Sequence, residues 1–326
     1  MKKGLIITAS ILVAAGLALF ICALAASGFD LTKLGTAKYE TNTYGVEEEF
    51  SNIEIHSEET NIIFKPSEDG KVSAVCCERD KVKHNVYVEN GTLKIKIEDR
   101  REWLDRINLF TKSLSVTLYL PAGTYGSLVI DSSTGSISVP GGFSFDSIGI
   151  TASTGSVTCN ASASGSIKIK ASTGNIKCDN VSAKEIGLSV STGNITLASA
   201  VCADTVSVSV STGNANITDV SCRDFSSKGS TGKITMKNLV TENGLYVERS
   251  TGNVVFDSCD AGNITVKAST GNVTGSLKTE KIFYAKASTG RVNVPKGVSG
   301  GICEITTSTG NIDIRIEESG GSSLLQ

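Results

Sequence analysis

Between about residue 131 and residue 316, apolar and polar positions alternate in short runs that are interrupted at regular intervals. The interruption is the tripeptide Ser-Thr-Gly, which begins at Ser133, Ser153, Ser172, Ser191, Ser211, Ser230, Ser250, Ser269, Ser288 and Ser308. Successive copies stand 19 or 20 residues apart. Five, three and one residues before each Ser the chain tends to be apolar or small, as in Ile167, Ile169 and Ala171 or Ile186, Leu188 and Val190. Four and six residues after it, apolar residues return, as in Ile195 and Leu197 or Val254 and Phe256. A period of two is that of a strand with one buried face. A unit of this length is too short for two helices or a propeller blade, and it fits one coil of a solenoid. The pattern therefore predicts an all-β chain, a parallel β-solenoid (β-helix) of coils of 19–20 residues, with the strands of successive coils about 4.8 Å apart.

Each coil reads as strand, Ser-Thr-Gly corner, strand and a variable corner. The corner glycines are Gly135, Gly155, Gly174, Gly193, Gly213, Gly232, Gly252, Gly271, Gly290 and Gly310. Glycine supplies there a backbone conformation that a Cβ opposes. Asn follows the Gly in six copies, a residue that tolerates left-handed backbone and hydrogen-bonds turns. The recurring Thr reads as a ladder of hydroxyls bonding along the stack.

Residues 45–130 are less regular. Ile53-Glu54-Ile55, Val86-Tyr87-Val88 and Leu93 to Ile97 alternate like strands, and Asn90-Gly91 between two of them signals a hairpin turn. Leu114 to Leu120, ended by Pro121, is another strand. This block reads as degenerate coils capping the regular solenoid over 131–316, because an open solenoid end needs a cover. Arg100 to Lys112 breaks the pattern, with Trp103, Ile107 and Phe110 on one face of a short helix. Residues 30–44 read as a polar tether and 317–326 as a flexible tail.

The first 29 residues carry a membrane signal. Lys2 and Lys3 precede an uncharged run from Gly4 to Phe29. As a helix its apolar part would span roughly 33 Å, the thickness of the hydrocarbon core. The leading lysines place the rest of the chain outside the cytoplasm. We read residues 4–29 as an uncleaved transmembrane helix; cleavage after Ala23-Leu24-Ala25 is the alternative. The expected location is the cell membrane, single-pass, with an extracytoplasmic C-terminal domain.

With an anchor, an irregular strand block ending in Leu118-Tyr119-Leu120-Pro121 and serial Thr-Gly-Asn-Ile coils, the chain resembles the bacterial "putative adhesin" family, whose members carry a β-strand-repeat domain of unknown function. The resemblance covers nearly everything after residue 45. It implies an envelope location and a β-solenoid, and no reaction. Some relatives sit among envelope-stress regulators, which implies sensing or scaffolding as much as adhesion.

Composition narrows the chemistry. A net charge of −2 lacks the basic excess of a nucleic-acid binder, so no nucleic-acid partner is expected. The two histidines, His56 and His84, lie outside the repeats. Asp179, Asp219, Asp257 and Asp260 occupy different offsets in their coils and build no acid–base constellation. Neither a catalytic residue nor a cofactor is expected, and vicinal Cys76-Cys77 lacks accompanying metal ligands. The nine cysteines suit a narrow core as small hydrophobes, so they read as buried thiols rather than a disulfide framework. Surface-contact candidates are Tyr246, Tyr284 and Trp103; the two tyrosines share an outward offset, two coils apart with Thr265 between. The expected function is a non-enzymatic, adhesin-like binding or scaffolding rod whose partner is an envelope glycan or membrane protein. The alternatives are an accessory or sensor of envelope-stress signalling and, third, a carbohydrate-active β-helix enzyme.

Overall fold

The computed structural model describes residues 2–26, 28–29, 38–101 and 113–317. Helix α1 (Lys2–Ala26) contains an apolar span from Ile6 to Ala26 with a mean hydropathy of 2.6, none of it covered by the rest of the chain. It is long and apolar enough to cross a membrane. Trp103 and the short helix read around it lie outside the described residues, as does the tail beyond Glu317. The tether is shorter than the sequence suggests, because Tyr39–Val46 already forms a strand, β1.

From Gly123 onward the chain winds as a parallel solenoid. Each coil has three extended runs and three corners, and the alternation read from the sequence is the alternation of burial. Ile186, Leu188 and Val190 point inward from the first run, Ile195 and Leu197 from the second, and Ala200 and Cys202 from the third. Ile, Val, Leu, Ala and Cys fill most of this narrow bore, and Phe143, Phe145, Phe225 and Phe256 bury their rings in it. At the Ser-Thr-Gly corner the glycine N–H of one coil donates to the Thr carbonyl of the next, as Gly174 does to Thr192 at 3.0 Å. The Asn side chains form a second ladder: Asn175 Oδ1 accepts the N–H of Asn194, and Asn194 Oδ1 that of Asn214. Among the described residues the corner is thus bonded along the stack by backbone and amide groups rather than by the Thr hydroxyls. Left-handed residues other than glycine stand at the next corner of five coils, eight residues after Ser172, Ser191, Ser211, Ser230 and Ser250: Asn180, Ser199, Asp219, Asn238 and Ser258 have φ between 49° and 56°.

Chain order and stacking order differ at both ends. Strand β2 (Asn52–Pro66) is flanked on one side by β7 (Gly123–Thr134) and β8 (Ile137–Val139), with Ile53 opposite Leu128 and Ile62 opposite Ile137. On its other side lie β5 (Thr92–Asp99) and β6 (Leu114–Leu120), with Ile53 opposite Leu93 and Ile62 opposite Val116. The first coil in sequence is therefore the second in the stack. At the far end Val254–Thr270 pairs with Gly301–Thr309, which in turn pairs with Lys281–Thr289. The last coil in sequence is likewise the second from the end.

The end block keeps two parallel layers, β2 and the layer of β5 and β6, but its other strands do not follow the coil pattern. Strands β3 (Val72–Arg79) and β4 (Val82–Glu89) run antiparallel to β6 and β5, and β1 runs antiparallel to β3. Asn90 and Gly91 both take positive φ, 51° and 68°, in the two-residue turn between β4 and β5. Antiparallel strands joined by tight turns terminate the ladder where a further parallel coil would need its own cover.

All nine cysteines are free thiols. Burial pushes the Cys159 thiol up to about 11 and those of Cys222 and Cys303 up to about 12, which suppresses the reactive thiolate. Alkylation in denaturant without reductant should label all eight cysteines beyond α1, whereas in native buffer Cys77, the one partly exposed, should react first. Bridged Cys159–Cys178 or Cys202–Cys222 peptides would contradict this.

Candidate functional site

The first run of each coil contributes three outward columns to one wall of the solenoid; the first of them, six residues before each Ser, carries Glu185, Thr205 and Asp224. Four residues before each Ser, the column passes from Lys168 through Gly187, Ser207, Ser226, Tyr246, Thr265 and Glu304 to Tyr284. Two residues before, it passes from Lys170 through Ser189, Ser209, Lys228, Glu248, Lys267 and Thr306 to Lys286. Three successive coils thus carry Gly or Ser at outward positions where their neighbours carry long side chains. The wall sinks there into an open groove of about 600 Å³, bounded by Lys168, Lys170 and Glu185 at one end and Lys228 at the other. Three strand spacings separate Lys170 from Lys228, about 14 Å.

Tyr246 stands on the coil beyond Lys228, at the edge of the groove. Lys228 Nζ lies 5.9 Å from its ring centroid and Lys267 Nζ 6.0 Å, so two cations bracket one ring. Its hydroxyl donates to Glu248 at 2.8 Å, and that bond raises the phenol pKa. Tyr246 is consequently half-covered and held in place. Tyr284 is 61% exposed on the outermost coil. The inverted order of the last coils puts both Thr265 and Glu304 between the tyrosines, so they stand three coils apart rather than two.

The columns four and two residues before Ser carry five lysines (Lys168, Lys170, Lys228, Lys267 and Lys286) and two glutamates (Glu248 and Glu304), and the column beside them adds Glu185, 3.9 Å from Lys168, and Asp224. The groove is rimmed by three lysines and Glu185, its floor is lined by small hydroxyls, and an aromatic ring stands at its edge. The acids weighed as catalytic groups stand apart from one another. Asp219 accepts from Asn238, Asp257 faces Lys237 at 3.3 Å, and Asp260 accepts from Lys281 at 2.9 Å. On the cap, His56 meets Glu54 at 2.6 Å and Asp131 at 3.4 Å above a separate, shallow depression. Sequence spacing also hid a polar cluster: β3 and β4 bring Glu78 and His84 to Cys76, so Cys76 does not lack potential ligands.

A family model described as Toastrack DUF4097 matches residues 50–202 and again 185–324. No curated protein matches the chain by sequence. It is similar to a solved structure described as a "putative adhesin" from Parabacteroides merdae, at 11% identity, with 86% of this chain and 98% of that one covered and a TM-score of 0.48. A "putative adhesin" from Bacteroides fragilis aligns at 15% identity over 85% of this chain and 97% of its own, with a TM-score of 0.40. A "putative lipid binding protein" from Parabacteroides distasonis aligns at 15% identity over 83% and 98%, with a TM-score of 0.47.

Proposed function

The chain belongs to the Toastrack DUF4097 family, and on that premise we propose that it is a membrane-tethered, extracytoplasmic, non-enzymatic rod that binds an anionic envelope glycan along its first wall. The observation that carries this reading is the groove floored by Gly187, Ser189, Ser207, Ser209 and Ser226 and bounded by lysines, with Tyr246 bracketed by Lys228 and Lys267. Lysines at both ends match a ligand that carries charge at intervals, and serine hydroxyls and a tyrosine face match sugar hydroxyls and rings. α1 supplies the membrane anchor.

Retention of the detergent-solubilised full chain on an immobilised acidic polysaccharide, compared with a neutral one, tests this. Binding should favour the acidic polymer and fall as salt is raised, because exposed charges act over about 8 Å at physiological ionic strength. Replacing Lys170, Lys228 and Lys267 together by Gln should weaken it by roughly threefold to 150-fold, at ~0.2–1 kcal/mol for each exposed contact. Equal retention on both polymers, or an unchanged triple variant, would remove the reading. Crosslinking of the anchored chain to a membrane protein in its place would favour the signalling accessory.

A further inference from the structure

The cap holds a polar cluster that the glycan-binding wall does not use. Cys76 and Glu78 lie two residues apart on β3 and so project to the same side, and the hairpin brings His84 of β4 against them. The Cys76 sulfur, a Glu78 carboxylate oxygen and a His84 ring nitrogen all lie within 4.8 Å of one another. Cys76 and Glu78 are 0% exposed and His84 is 4% exposed. Glu78 accepts the backbone N–H of His84 at 2.6 Å and Asn42 Nδ2 at 2.6 Å; Tyr44 donates its hydroxyl at 3.2 Å, and His84 Nδ1 stands at 3.0 Å. His84 Nε2 is buried without a hydrogen-bond partner. The nearest cation, Lys83 Nζ, remains 3.9 Å from the carboxylate.

A carboxylate and an imidazole in one dry pocket are a poor way to fill a core, since both cost desolvation that apolar side chains would not, and here they stand against a thiol. They are, however, a set of first-row metal ligands. We propose that Cys76, Glu78 and His84 form a three-ligand binding site for a divalent, thiolate-tolerant metal ion of the zinc class, with one position of a four-coordinate shell left open. Thiolate and carboxylate together neutralise a 2+ ion, so the assembled site carries no net charge into the interior, and a sulfur ligand selects against calcium and magnesium. Binding converts the Cys76 thiol to thiolate, its proton passing to solvent. Asn42 and Tyr44, both on β1, already hold Glu78, so an ion here would tie the first strand after the membrane helix to the β3–β4 hairpin.

Cobalt(II) titration of the chelator-treated full chain in detergent micelles tests the site. One Co²⁺ per chain should bind, with near-ultraviolet thiolate-to-cobalt charge-transfer absorption that zinc then abolishes. Cys76→Ser should lose that absorption and bind more than about 100-fold more weakly, and Cys77→Ser should retain both. If Cys76→Ser fails to fold, His84→Gln takes its place with the same expected loss of affinity. Absence of the charge-transfer band in the wild-type chain, or a band unchanged in the Cys76 or His84 variant, overturns the assignment.

Discussion

Gly193→Val should lose about 4 kcal/mol or more and split the denaturant transition, whereas Lys177→Val on an exposed outward position should stay within about 0.5 kcal/mol of the parent. Gly193 has a φ of 144°, far from the conformations open to a β-branched residue. That alone costs of order 1–3 kcal/mol. Space adds to it, because a Cβ at this position would lie 1.8 Å from the carbonyl oxygen of Gly174 and 2.7 Å from its carbon. The obstruction is the backbone of the coil below, which is itself bonded on both sides and has no rotamer to yield. A lesion in a solenoid acts on one nearest-neighbour interface, so the coils before and after Gly193 should melt with reduced coupling. Urea melts of the two variants followed by circular dichroism decide this; coincident, parent-like transitions would show that the corner does not require glycine.

Arg249→Met should stabilise the protein by about 1–3 kcal/mol. Arg249 occupies the inward offset one residue before Ser250 and is 3% exposed, in a column with Val210, Gly229 and Ala268. Its guanidinium donates to Ser227 Oγ at 2.8 Å and to the Glu248 carbonyl at 3.1 Å, both neutral acceptors. Burial pushes its pKa down to about 10, the direction of a cation held out of water. Gly229 makes the room, since a Cβ there would lie 2.4 Å from Arg249 Nη1. Methionine keeps most of the volume and removes the buried charge; the two freed acceptors offset part of the gain. Thermal melts of the full chain read the difference, and a loss of similar size would mean that the two hydrogen bonds outweigh desolvation.

The regular coils were legible because their signal is local and repeated. Ile186, Leu188 and Val190 announce an inward face within five residues, and ten Ser-Thr-Gly corners fix the period. The stacking order was not legible, because a coil such as 301–316 has the same inward pattern as its neighbours, and the pattern does not say which coil it rests on. Arg249 follows the inward offset, but only the facing Gly229 on another coil explains how a guanidinium fits there. The groove left a readable trace: Gly187, Ser207 and Ser226 replace long side chains at one outward offset in three consecutive coils, visible once the coils are aligned. The Cys76 cluster left less. Its residues lie eight apart at most, yet only the β3–β4 hairpin turns His84 back onto Glu78.

The interchange of the last two coils sets the order in which the structure can be completed. As the chain emerges N-terminus first, Lys281–Thr289 arrives when the surface of Val254–Thr270 is still bare, but that surface belongs to Gly301–Thr309. The earlier segment has a similar inward pattern and must leave the place vacant until a later one fills it. Completion is therefore an insertion step governed by contacts distant in sequence, the kind that forms slowly. A chain cut before Gly301 would lose an inner layer rather than its outermost one, leaving Lys281–Thr289 to settle where the missing strand belongs. The final sixteen described residues from Ile302 act less as an end than as a keystone, without which the coil already made has no correct place to stand.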